Sequence, residues 1–171
     1  MKNIIVGVMG PGESATPIDL ENAYQLGKLI AQAHWILLTG GRSSGVMEAA
    51  NQGAKSEQGL TLGILPNNSL NGASDSVDIA ILTDVGQARN NINVLTSHIV
   101  IACGMGLGTA SEVALALKQG KFVILLTQNS LAQQFFSELA PNQVYIATDP
   151  PAAIAYINRF LKPDHHSSKK N

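Results

Sequence analysis

Apolar positions along this chain follow two alternating rhythms. Short aliphatic runs, apolar on both sides, are followed by longer stretches in which apolar residues recur every three or four positions. Asn3–Met9 is the first run and predicts a buried strand. Ile18–Ala33 then sets Leu20, Ala23, Tyr24, Leu26, Leu29, Ile30 and Ala33 at helical spacing. The same rhythm predicts strands at Trp35–Thr39, Thr61–Leu65, Asp78–Leu82, His98–Cys103, Phe122–Thr127 and Gln143–Ala147. Between and after them it predicts helices at Gly45–Gln52, Ala88–Thr96, Thr109–Gln119, Leu131–Leu139 and Ala152–Leu161.

Strand and helix alternating in this way give a parallel sheet whose helices cover both faces. Strands apolar on both sides suit such a doubly covered sheet, and the crossovers are expected to be right-handed. The expected fold is α/β, a Rossmann-like, doubly wound, mostly parallel sheet of about seven strands. Residues 1–162 read as one ligand-binding domain, and 163–171 as a polar tail without a fold of its own. The tail's two histidines read as solvated rather than metal-binding. Asn67–Ser76 ("NNSLNGASDS") reads as a turn-rich loop at the ligand edge and a candidate flap.

Three glycine turns leave strands at the edge where such sheets bind ligands. They are "GPGES" (10–14), "TGGRSSG" (39–45) and "GMGLGT" (104–109). Glycines serve tight strand–helix turns, and they also let backbone N–H groups approach an oxyanion at the positive end of a helix. The candidate contacts are Gly10, Gly12 and Ser14 in the first turn and Gly40, Gly41, Arg42, Ser43 and Gly45 in the second. The third offers Gly104, Met105, Gly106, Leu107, Gly108 and Thr109. Arg89 offers a planar fork for phosphate or carboxylate, or else is a solvated surface charge. Glu112 lies three residues after Thr109, which fits a capping box and equally a carboxylate beside a ligand. No turn has the G-x-x-x-x-G-K-[ST] pattern of a P-loop. The second strand ends in Thr39 rather than an acid, against ordinary NAD binding.

Composition narrows the classes further. The formal net charge is −1 and charged residues make up 13% of the chain, so no basic groove for nucleic acid is expected. A single cysteine, Cys103, cannot form an intrachain disulfide and reads as an inert core thiol in a reducing cytoplasm. His98 and His34 read as structural. No leader is expected, since Met1-Lys2-Asn3 runs straight into Ile4–Val8, and no run approaches the ~18–20 apolar residues of a membrane span. No metal-ligand spacing is present.

"LLTGGRSSGVMEAANQGA" (37–54) resembles the G-G-x-x-x-G-[VL]-M-x-A-x-x-x-G-A segment of the Lonely Guy family, proteins once called lysine decarboxylases. "GMGLGTASE" (104–112) resembles the P-G-G-x-G-T-x-x-E segment of the same family. "QARNNINVLTSHIVIACGMGLGTASEVALALKQGKFVILL" (87–126) is closer to a shorter branch, with A-R-N before the glycine turn, which includes the molybdenum cofactor carrier proteins. The resemblance spans roughly residues 3–160. It implies a Rossmann-like fold, a homodimer or homotetramer, and a site for a ligand with a terminal phosphate.

In the hydrolases of this family, which free bases from nucleoside 5′-monophosphates, the motif's catalytic glutamate falls on Glu112. Its phosphate-contacting residues fall on Gly106, Gly108 and Thr109, and Arg89 is the counterpart of the arginine paired with the glutamate. The sequence departs at Gly104, where the hydrolases have proline, and at Met105, where they have the first glycine. A methionine side chain is expected to add bulk where backbone meets phosphate. The resemblance therefore implies a carrier that binds molybdenum cofactor, an anionic phosphorylated pterin, as cargo without turnover and without a directly protein-ligated metal. Molybdenum enzymes are the implied recipients. The alternative is a phosphoribohydrolase using Arg89 and Glu112.

Overall fold

The computed structural model describes residues 3–161, so the predicted tail lies outside the described residues. The strands are β1 (Ile5–Met9), β2 (Ile36–Thr39), β3 (Thr61–Leu65), β4 (Ile79–Leu82), β5 (Ile99–Cys103), β6 (Val123–Leu126) and β7 (Val144–Ile146). The helices are α1 (Pro17–Gln32), α2 (Gly45–Ser56), α3 (Arg89–Thr96), α4 (Leu107–Lys118), α5 (Ser130–Leu139) and α6 (Pro150–Leu161). A single 3-10 turn, Gly86–Ala88, leads into α3.

The strands form one sheet in the order β4-β3-β2-β1-β5-β6-β7. Every pairing is parallel, as in Val6↔Ile99 and Met9↔Ala102 between β1 and β5. The predicted doubly wound Rossmann-like sheet is thus present, and it is wholly parallel among the described strands. The chain winds outward from β1 to β4, then returns to β5 on the other side of β1. The carboxyl ends of β1 and β5 therefore flank the switch point, where a crevice opens for ligands.

Alternate residues of each strand serve opposite faces. Ile99, Ile101 and Cys103 join Val6 and Val8 in one core, under Ala23, Leu26 and Ile30 of α1, Val46 and Ala50 of α2, and Ala153 and Ile157 of α6. Val100 and Ala102 join Leu38, Ile64 and Leu125 in the other, under Val94 of α3, Val113 and Ala116 of α4, and Phe136 of α5. The exception is the edge: β3 passes to β4 without a helix, and Ile79, Ile81 and Leu82 stay exposed. None of the helices among the described residues is long and apolar enough to cross a membrane.

Helix starts differ in how they are finished. Thr16 caps α1 in a full capping box with Asp19, and Pro17 follows at the first position. Asn129 caps α5, its side chain accepting from the Ala132 N–H at 3.0 Å. α4 begins at Leu107, two residues before the predicted start at Thr109, and Gly106 at its cap position supplies no side chain. The predicted capping box between Thr109 and Glu112 is therefore not formed: Thr109 is the third helical residue, and Glu112 turns inward.

Candidate functional site

Two of the glycine turns are interlocked by backbone contact. Gly45 has φ +54, and a Cβ there would stand 2.1 Å from the Gly12 carbonyl oxygen and 2.4 Å from that of Pro11. The Val46 N–H donates to the Pro11 carbonyl at 3.0 Å, which fastens the second turn to the first. Thr39 is buried; its hydroxyl donates to Asn51 Oδ1 at 3.1 Å and accepts from the Gly41 N–H at 3.0 Å, so it shapes the turn rather than faces a ligand.

The three turns converge. Gly10, Gly40 and Gly108, one from each, line a small cavity of about 80 Å³ beyond the carboxyl end of β1. Arg89, Thr109 and Glu112 close its polar side, with Val8, Met9 and Met47 among its apolar walls. That volume suits one oxyanion group and falls well short of the ~300–1,000 Å³ that enclose a whole small molecule.

Two of the cavity's polar residues hold donors without acceptors. Thr109 is buried and its hydroxyl has no hydrogen-bond partner; Arg89 Nε is likewise unpartnered. The first N–H groups of α4, on Leu107, Gly108 and Thr109, have no partner within the helix, and no side chain caps them. The cavity thus sits at the positive end of a helix, beside a guanidinium, with open donors pointing into it.

Arg89 is 7% exposed, so the reading of it as a solvated surface charge does not hold. Its Nη1 donates to the Ile64 carbonyl at 2.6 Å and to the Gly40 carbonyl, which pins it under the second turn. Burial lowers its pKa, the Glu112 charge opposes that, and the like charge of Arg42 adds to it. The two ion pairs among the described residues are Lys28–Glu57 and Lys55–Asp78. Arg89 and Glu112 are electrostatic neighbours rather than a bonded pair.

Glu112 is also 7% exposed. Asn93 Nδ2, one turn along α3 from Arg89, donates to Glu112 Oε1 at 2.8 Å. Asn90 of the same helix donates to Ser111 Oγ at 2.8 Å, so α3 holds the start of α4 through two amides. Burial pushes the Glu112 carboxyl up to about 7, outweighing the Asn93 hydrogen bond and the Arg89 charge that favour ionisation. A carboxyl in that range exchanges protons at neutral pH.

The other sequence candidates fall outside this cavity. Gly12, Ser14, Gly41, Arg42, Ser43, Gly45, Gly104, Met105, Gly106 and Leu107 do not line it. Ser14 and Leu107 point to solvent, and the Met105 side chain packs against the core under α4 rather than into the anion's place. Loop 67–76 is fastened to the second turn: Ser43 N–H donates to the Gly72 carbonyl and Ser74 N–H to that of Gly41, both at 2.9 Å. Cys103 is buried and its thiol is pushed up to about 12, chiefly by burial and further by Asp19, which leaves it inert. His98 Nδ1 accepts from the Ile5 N–H at 3.0 Å, a structural role as expected.

Sequence reasoning missed Asn93, Met47 and Gln87. The spacing of Arg89, Asn90 and Asn93 puts all three on the start of α3, but only the packing of α3 against α4 gives Asn93 its partner.

Residues 3–154 match the SLOG cluster4 family. Among solved structures, the molybdenum cofactor binding protein of Rippkaea orientalis is 60% identical, covers 95% of this chain and 99% of its own, and superposes with a TM-score of 0.94. The Moco carrier protein of Chlamydomonas reinhardtii is 49% identical, with 94% and 98% covered and a TM-score of 0.87. A protein of Archaeoglobus fulgidus is 46% identical over 129 residues, 74% of this chain and 82% of its own.

Proposed function

This chain belongs to the SLOG cluster4 family, and on that footing we propose that it binds molybdenum cofactor as cargo and carries it without turnover. The observation behind this reading is the set of buried, unpartnered donors, Thr109 Oγ1 and Arg89 Nε, at the uncapped start of α4. A buried donor without an acceptor costs ~1–3 kcal/mol, and an oxyanion of the cargo supplies the acceptor. The relatives named as cofactor binding and carrier proteins, at 60% and 49% identity, support the cargo's identity. Holding the cargo by its oxyanions leaves the metal free of protein ligands.

Self-association belongs to the same reading. The helices near 88–119 bury Val94, Val113, Ala116 and Leu117 and leave Leu95 and Leu107 exposed, at 50% and 94%. A regular exposed stripe lies on α5, where Leu131, Phe135 and Leu139 recur every four residues at 78%, 60% and 64% exposure. A second copy of the chain is the occupant proposed here, in a homodimer or homotetramer working in the cytoplasm and handing cargo to molybdenum enzymes.

One observation favours the phosphoribohydrolase alternative: burial raises the Glu112 carboxyl to about 7, so a share of it carries a proton at neutral pH and can serve as a general acid. Native mass spectrometry separates the two. Protein isolated from a host that makes the cofactor is expected to carry a phosphorylated pterin, and Thr109→Val to lose it. Release of free base from AMP, abolished in Glu112→Gln, overturns the carrier reading, as does wild-type protein isolated without cargo.

A further inference from the structure

The oxyanion cavity holds one end of a ligand and has no room for a ring. A second, larger cavity of about 550 Å³ opens at the same carboxyl edge of the sheet. It lies between the ends of β6 and β7 and the first turns of α1, with Ile18, Leu126 and Ile146 as apolar walls. We infer that this cavity is a second subsite, which takes the 2-amino-4-oxopyrimidine edge of a bicyclic ring through the carboxylate of Asp19. The inference rests on the carrier reading and assigns this edge to the pterin of the cargo.

Asp19 carries the argument. It is 8% exposed. Its Oδ2 accepts from the Thr16 N–H at 3.0 Å, while its Oδ1 has no hydrogen-bond partner. The free oxygen belongs to a residue that lines the cavity, so a donor from a ligand can reach it. An N–H donor from a ligand takes the place of water on that oxygen.

The polarity of the cavity selects the ligand. Helix starts usually draw anions, but here the protein's own carboxylates occupy them. Asp19 closes the α1 capping box onto the Thr16 N–H, and Asp149 Oδ1 accepts from the Ala152 N–H at 2.8 Å in the first turn of α6. The charged groups that line the cavity are therefore both carboxylates, beside the amides of Asn22, Gln128 and Gln133, and no Lys, Arg or His lines it. A phosphate is repelled. A neutral, flat ring with an amino group beside a ring N–H gives Asp19 its missing donor, and the amides of Asn22 and Gln128 serve the oxo group. The two cavities are thus opposite in character, and the third glycine turn adjoins both: Gly104 stands with φ +74, so close to Asp19 that a Cβ would lie 2.8 Å from Oδ1.

Fluorescence titration with 6-hydroxymethylpterin tests the assignment, run beside lumazine, which has an oxo group in place of the 2-amino group, and beside guanosine. Pterin is expected to bind at least tenfold more tightly than lumazine and more tightly than guanosine. Asp19→Asn is expected to weaken pterin at least tenfold. Ile146→Trp, which fills the cavity and leaves the α1 cap untouched, is expected to abolish binding, and molybdate binding should persist in both variants. Equal affinity for lumazine, or pterin binding undiminished in Ile146→Trp, overturns the subsite. Preference for guanosine overturns the pterin as its occupant. Pterin binding without molybdate binding overturns the carrier reading alone.

Discussion

Replacing Glu112 by Gln should stabilise this protein at alkaline pH and do little at acid pH. The wild-type carboxyl is raised from 4.5 to about 7, with burial as the largest cause. Each pKa unit is worth ~1.4 kcal/mol, so the raised value corresponds to about 3 kcal/mol. Below pH ~4.5 the folded and unfolded chains both hold the proton and the penalty is absent. Between there and neutrality the unfolded chain ionises while the folded one stays protonated, so stability falls as pH rises. Above pH ~7 the full loss is in place. Glutamine never ionises, and its side-chain oxygen can still accept from Asn93 Nδ2. Urea unfolding of both proteins at pH 5 and pH 8.5 measures the difference directly. The gap should widen toward about 3 kcal/mol at pH 8.5, or ~6–12 °C in melting temperature for a chain of this size. Taking the difference removes shared titrations such as Asp78, whose lowered pKa has the opposite sign. If Glu112→Gln is less stable than wild type at pH 8.5, the Arg89 attraction outweighs burial and the reasoning fails.

Three further outcomes follow from the same geometry. Arg89→Ala should weaken molybdate or phosphate binding by about 1–3 kcal/mol, the usual worth of a charge-assisted hydrogen bond, read by calorimetry; unchanged affinity removes Arg89 from the site. Sulfate or molybdate, neither of which titrates near neutrality, should bind with proton uptake at pH 8, because a second negative charge in an 80 Å³ cavity drives Glu112 to its neutral form; calorimetry in buffers of different ionisation enthalpy counts the protons, and Glu112→Gln should abolish the uptake. Phe135→Glu, in the exposed stripe of α5, should reduce the subunit count seen by native mass spectrometry while leaving anion affinity unchanged.

Much of the fold was legible because each strand is buried on both sides. Ile99–Cys103 is apolar at every position, and its alternate residues feed opposite cores. Most boundaries shifted by a residue or two, where capping decides, as at Pro17, or where pattern is lacking, as in the Gly-Leu-Gly entry to α4; the end of α2 moved further, from the expected Gln52 to Ser56. The shift at α4 changed chemistry. Thr-x-x-Glu spacing reads as a capping box only if Thr109 is the cap, and with Gly106 there instead both side chains are free to turn into the cavity. The convergence of the three glycine turns followed from topology alone. The partner of Glu112 did not, because Asn93 reaches it only through the packing of α3 on α4, 19 residues away in the chain. The cavity at Asp19 was equally hidden, being assembled from α1, β6 and β7, which no local spacing connects.

The distribution of satisfied and unsatisfied groups separates scaffold from site. At α1, α5 and the first turn of α6 the opening N–H groups find side-chain acceptors within the chain. Secondary structure at those points is complete without a ligand. At α4 the cap is missing, Thr109 and Arg89 hold donors with no acceptor, and Glu112 is buried without an ion pair. Each of these is a cost that a fold selected for stability alone would remove, and a capping serine at Gly106 or an alanine at Glu112 is a small change. Glu48 Oε2, Asn51 Nδ2 and Asn93 Oδ1 are also unpartnered but lie outside the cavity; at the cavity itself Thr109 and Arg89 hold their open donors beside an uncapped helix start, so an acceptor placed there relieves several costs at once. The same reasoning sets the direction of the cargo. Within the carrier reading, the open donors of Thr109 and Arg89 at the β1–β5 switch point would take an oxyanion and the carboxylates of Asp19 and Asp149 at the ends of β6 and β7 would take amino groups, which gives such a molecule one orientation on the rim.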